Sequence, residues 1–193
     1  LRVEVHAFCL MDTHFHLLVR SPGGLLSEAM RRVQNEHSRR FNRRNKRDGS
    51  LVRGRFFSRV VDSLEYRRVL VQYIDANPVR AGIVRSPGDF EFGSAAAYIY
   101  RDGPPWLSRE WVESEACLYS GASSFTPRAY SSTFDVGDAE QQFALNNLVE
   151  ARLAHPAGED PLDDLIGVAP HHVRAWMQRK AMNADGHQVG LPV

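Results

Sequence analysis

A two-residue alternation at the start of the chain constrains its architecture more than any other feature. Val3, Val5, Ala7 and Cys9 alternate with Glu4, His6 and Phe8, the period of a strand. Asp12-Thr13 reads as a tight turn, His14 through Val19 as a second strand, and Ser21-Pro22-Gly23-Gly24 as its end. The segment therefore folds as an antiparallel hairpin. Strand residues i and i+2 share a face, so His14 and His16 point one way, with Phe15 and Leu17 opposite them toward the core. Two imidazoles so placed can converge on one divalent ion. The same spacing also describes two half-exposed histidines beside a turn.

A long helix follows, from about Leu25 to Arg44, with Leu25, Leu26, Ala29, Met30, Val33, His37 and Phe41 recurring at spacings of three and four. Phe56 to Val61, aromatic and β-branched, reads as a short strand. Asp62 reads as a helix N-cap, forming a capping box with Glu65. The helix it opens carries Leu64, Val69, Leu70, Tyr73 and Ile74 and is stopped or redirected by Pro78 and Gly82. On it Tyr73 and Asn77 lie one turn apart on a shared face. A tyrosine phenolate can attack a phosphodiester and hold the phosphate covalently, and the Asn77 amide oxygen can add a hard ligand to an ion. Alternatively, Tyr73 packs the helix onto a sheet and Asn77-Pro78 marks the helix end.

Further on, Ser94 to Tyr98 fits a short helix, Gly103-Pro104-Pro105 a break, and the Ser/Thr/Gly/Pro-rich stretch from Ser120 to Asp138 a loose connection. Gln141 to Arg152 reads as helical. Asp163 to Met177 reads as helix, glycine-containing turn, helix, a helix-turn-helix pattern whose second helix offers Arg174, Gln178, Arg179 and Lys180 to DNA. It equally fits a helical hairpin packed on the main body. These boundaries divide the chain into a domain over 1–118, a linker over 119–139 and a helical region over 140–193.

The formal net charge of +1 hides an asymmetry. Residues 1–100 carry 17 basic against 10 acidic residues, and residues 101–193 carry 7 against 13. Between Arg31 and Arg59 the balance is 11 against 2, mostly arginine. Like charges on one helix repel, so phosphates are the expected compensation, and arginine suits bidentate contacts to them. Arg31, Arg32, Arg39, Arg40, Arg43, Arg44, Arg55 and Arg80 are the candidate nucleic-acid contacts. No apolar run approaches the roughly 20 residues of a membrane span. Cys9 and Cys117 lack a nearby partner and fit a reducing compartment, so a cytoplasmic, nucleoid-associated location is expected. The chain opens on Leu1 inside a strand, and a preceding piece is expected.

Met11-Asp12-Thr13-His14-Phe15-His16-Leu17-Leu18, Arg39-Arg40-Phe41-Asn42-Arg43-Arg44, Gly54-Arg55-Phe56 and Tyr73-Ile74-Asp75-Ala76-Asn77-Pro78-Val79-Arg80-Ala81-Gly82 occur in that order. In these phrases, over roughly residues 1–100, the chain resembles the single-tyrosine (Y1, HUH) transposases of the IS200/IS605 kind, and among them the REP-associated tyrosine transposases. The resemblance implies an α+β, ferredoxin-like antiparallel sheet with helices on one face. In such a sheet the family's first strand is central, and that strand and its helix would be missing from this chain, leaving an open edge in a fragment or a decayed copy unless another segment or subunit fills the gap. It also implies His14, His16 and Asn77 as ligands of Mg²⁺ or Mn²⁺. Tyr73 becomes the nucleophile on single-stranded hairpin DNA, leaving a 5′-phosphotyrosine and a free 3′-OH, and the protein a homodimer. Asp12-Thr13 stands where the family usually has Pro-Asn. The alternative function is a domesticated or truncated binder of hairpin DNA or RNA that does not cut.

Overall fold

The computed structural model describes residues 2–52, 56–61, 63–135 and 137–154. Strands β1 (Glu4–Leu10) and β2 (Phe15–Arg20) form the antiparallel hairpin, a two-stranded sheet. Helices α1 (Leu26–Asn45), α2 (Leu64–Arg80), α3 (Ser94–Tyr100), α4 (Glu110–Ser120), α5 (Pro127–Phe134) and α6 (Ala139–Ala154) follow. The class is α+β, as the resemblance implies. Arg55 and the tail pattern with Arg174, Gln178, Arg179 and Lys180 lie outside the described residues.

The hairpin pairs Leu10 with Phe15 and Cys9 with His16, and a bulge between Val5 and Ala7 shifts the register further along. Ala7, Phe8 and Cys9 are all buried, so β1 is covered on both faces rather than half-solvated. Trp106 packs on Phe8 with ring centroids 5.1 Å apart, and α2 and α3 also contact the strand.

The edge of β1 away from β2 is covered by another segment of this chain, the alternative to an open edge. Leu10 N–H donates to the Phe92 carbonyl at 3.0 Å, and the Val5 carbonyl accepts from Ser108 N–H at 2.8 Å. Between them, Phe8 N–H donates to Ser94 Oγ at 2.9 Å and Tyr98 Oη donates to the His6 carbonyl at 2.7 Å. A Cβ at Gly93 would meet Phe90 Cδ1 at 3.3 Å and the Phe90 carbonyl at 3.4 Å, so glycine relieves crowding within the loop itself, with the Phe8 carbonyl of β1 at 3.9 Å. Every unpaired strand edge invites association with another chain, and here two loops and a helix start remove that invitation.

α2 is the central helix, with an unbroken buried run from Val71 to Pro78. Its N-cap is Ser63, whose side chain accepts from Tyr66 N–H at 3.1 Å; the capping residue is thus not Asp62. Nor does Pro78 stop the helix, which runs on to Arg80. It then closes in a Schellman arrangement, with Ile83 N–H on the Pro78 carbonyl and Gly82 N–H on that of Val79. Gly82 takes the left-handed φ of +69° that this motif needs.

Three other expectations are corrected. Residues 56–61 form no strand: Phe57 and Val60 are 67% and 83% exposed, and strand propensity without a neighbouring strand builds no ladder. The Ser/Thr-rich stretch holds α5, capped by Thr126 with Pro127 in its first turn, and Ala129, Tyr130, Thr133 and Phe134 are buried in the core. Phe15 ends the sheet 40% exposed, so only Leu17 of the expected pair packs on the core. No described helix is long and apolar enough to cross a membrane.

Candidate active site

The hairpin and α2 bring together four of the residues singled out in the sequence. His14 directly precedes β2 and is exposed; His16, within β2 and opposite Cys9, is partly buried. Their rings meet edge to face, centroids 5.0 Å apart. His16 in turn meets the Tyr73 ring edge to face at 5.3 Å. Histidines and tyrosine, nearly sixty residues apart in sequence, thus form one continuous cluster.

Asn77 sits in the same helical turn as Tyr73 and is 2% exposed. Pro78 has no N–H to continue the helical ladder, and in this weakened turn the Asn77 amide Nδ2 donates to the Tyr73 carbonyl at 2.7 Å. Its Oδ1 accepts from Arg80 Nη2 at 2.9 Å. An amide oxygen has two lone pairs, so Oδ1 keeps capacity for a second partner. Arg80 also lays its guanidinium over the Tyr73 ring, 5.3 Å from the centroid.

The electrostatics follow from burial. His16 is pushed down to about 4, first by desolvation, then by the charges of His14 and Arg80, with Glu150 and Asn77 pulling the other way. It is neutral at physiological pH, the form in which imidazole binds metal. Its Nε2 is buried and has no hydrogen-bond partner among the described residues, an arrangement that normally demands one. Tyr73 is buried, and its hydroxyl is pushed up to about 12 by that burial and by the hydrogen bond to Glu150, with Arg80 opposing.

Glu150, on α6, is the residue that sequence reasoning missed. It accepts the Tyr73 hydroxyl at 2.7 Å. A single acid on a helix 77 residues downstream carries no local signal; only packing of α6 on α2 brings it in.

The basic helix is less unbalanced than its composition implies. Glu28 pairs with Arg31 and Arg32 at 2.8 Å each, and Glu36 with Arg40 at 2.6 Å and Arg39 at 3.8 Å. These exposed pairs stabilise little. Arg43 and Arg44 occupy the last turn, where cations suit the helix dipole, and form no ion pair among the described residues. α1 buries only Met30 and leaves Val33 62% exposed, so its whole arginine surface faces solvent.

Among the described residues no group of three or more His, Cys, Asp and Glu is placed to hold a metal ion. An ion at this cluster would therefore be held by the two imidazoles and, as third protein ligand, an amide oxygen. The partnerless Nε2 of His16 and the spare lone pair of Asn77 fit that role.

Residues 1–77 match the family model described as "Transposase IS200 like". The match makes this segment, about two fifths of the chain, similar to that family. No curated protein matches the chain, and no solved structure does.

Proposed function

We propose that the chain is a metal-dependent single-strand DNA nicking and joining enzyme acting through Tyr73. The observation that carries the reading is the convergence of His14, His16, Tyr73 and Asn77 from two separate elements on one cluster. His14, His16 and the Asn77 amide oxygen hold Mg²⁺ or Mn²⁺. When bound, such an ion supplies Lewis-acid polarisation of a phosphate oxygen. Tyr73 attacks the scissile phosphate of a hairpin-forming single strand and leaves a 5′-phosphotyrosine and a free 3′-OH. Arg80, over the ring, stabilises the negative charge that develops on the phenol. Arg31, Arg32, Arg39, Arg40, Arg43, Arg44 and Arg55 contact the DNA backbone, and two copies act together. The hairpin and α2 are taken as parts of a ferredoxin-like domain of the REP-associated kind.

The test is a denaturing gel of the protein incubated with single-stranded hairpin DNA and Mn²⁺. A band that survives denaturation and disappears with EDTA and in Tyr73→Phe is the expected result, with DNA binding by Tyr73→Phe retained. An adduct formed equally by Tyr73→Phe removes Tyr73 from the reaction. Binding with no adduct at all favours a protein that holds hairpin DNA or RNA without cutting it.

A further inference from the structure

Glu150 lies beyond the residues that the family model matches, and the reading above gives it no role. Its neighbours Leu148 and Val149 are buried in the core, and α6 packs on α2, which fixes the backbone of Glu150 relative to Tyr73. Glu150 itself is exposed. Its Oε1 accepts the Tyr73 hydroxyl at 2.7 Å, within the reach required of a proton acceptor. An ordinary phenol titrates near 10. At neutral pH Tyr73 is therefore protonated, and its attack on phosphorus requires a partner for the proton.

Building on the proposed phosphotyrosine chemistry, we propose that Glu150 is the general base of the Tyr73 reaction. As the bond between Tyr73 Oη and phosphorus forms, the phenolic proton passes to Glu150 Oε1. The bond from phosphorus to the 3′-oxygen breaks, and that oxygen leaves as a hydroxyl after taking a proton from water. In the joining direction a 3′-OH attacks phosphorus and gives its proton to water, the phosphotyrosine bond breaks, and the Glu150 carboxylic acid returns its proton to Tyr73. Arg80, above the ring, steadies the phenolate character that arises in both directions.

The experiment measures single-turnover adduct formation on hairpin DNA with Mn²⁺ for wild type, Glu150→Gln and Glu150→Ala, together with DNA affinity in EDTA. The amide oxygen introduced by Glu150→Gln still accepts the Tyr73 hydroxyl, so this change keeps the orientation and removes only proton acceptance. The expected result is a fall of about 10²- to 10⁴-fold in its rate, the range typical of general base catalysis, with DNA affinity within about twofold of wild type. A wild-type rate for Glu150→Gln beside a slow Glu150→Ala reduces Glu150 to positioning and overturns the proposal. Faster adduct formation by both variants also overturns it, because α6 then obstructs the nucleophile. If wild type itself forms no adduct, the phosphotyrosine reading falls and the base role with it, an outcome distinct from the other two.

Discussion

Asp75 offers a test of the core that surrounds the site. It lies on α2 between Tyr73 and Asn77 and is buried, 4% exposed. Tyr130 Oη donates to its Oδ2 at 2.6 Å, and Oδ1 has no partner among the described residues. The titratable groups acting with it are Tyr130, Tyr98 and Cys9, and none of them is a cation. Desolvation pushes its carboxyl up to about 7, against a small opposing effect of the Tyr130 hydrogen bond. An unfolded aspartate titrates near 4. With the folded value raised, the contribution to stability is fully present below pH 4 and is lost as pH rises toward 7. Three units correspond to about 4 kcal/mol, of which about 2 kcal/mol falls between pH 5 and 7 and roughly 3 kcal/mol between pH 5 and 8. His16 has the opposite sign: its folded value is depressed, so its contribution is present above pH 6.5 and lost as pH falls toward 4. A single stability curve would mix the two, and a difference between variants separates them. Asp75→Asn keeps an acceptor for Tyr130 and cannot ionise. Urea unfolding in EDTA at pH 5, 6, 7 and 8 should show the stability of Asp75→Asn relative to wild type rising by about 3 kcal/mol across the series. Parallel curves for the two proteins would refute the argument that Asp75 is held uncharged by burial.

Two further outcomes follow from geometry. Ser94→Ala removes the buried acceptor of Phe8 N–H and should lower unfolding free energy by about 1–3 kcal/mol; a loss below about 0.5 kcal/mol would mean water or a shifted loop satisfies that N–H. Replacing Arg39, Arg40, Arg43 and Arg44 with Gln should flatten the salt dependence of single-strand binding by about 0.7 in log–log slope for each phosphate that is no longer neutralised, and an unchanged slope would take α1 out of the interface.

The parts of this molecule that were legible in the sequence are those whose signals are local and periodic. The hairpin followed from a two-residue alternation, and α1 and α2 from apolar spacings of three and four. Spacing fixes a shared face for His14 with His16 and for Tyr73 with Asn77, whereas the meeting of the two pairs was implied only by the family resemblance. What failed depended on partners. Phe56 to Val61 has strand composition and no strand beside it. Residues 120–138 looked like a connector on composition, although Thr126-Pro127 was a readable helix start. α4 carries local signals of its own: Glu110 and Glu113 open it, Val112 and Ala116 are spaced for one face, and Gly121 closes it. Glu150 was invisible for a different reason: its place beside Tyr73 is decided by the packing of α6 on α2, not by any residue near it in sequence.

The covered edge of β1 bears on how long a chain the chemistry needs. All four cluster residues lie at or before Asn77, within the stretch that the family model matches. The groups that quench the β1 backbone come from Phe92, Ser94, Tyr98 and Ser108. A fragment ending at residue 77 would keep the whole cluster and bare the strand beneath it. A piece that keeps His14, His16, Tyr73 and Asn77 and a piece that stays monodisperse are therefore different lengths of polypeptide, because the groups that quench β1, like Arg80 and Glu150 beside Tyr73, come later in the chain.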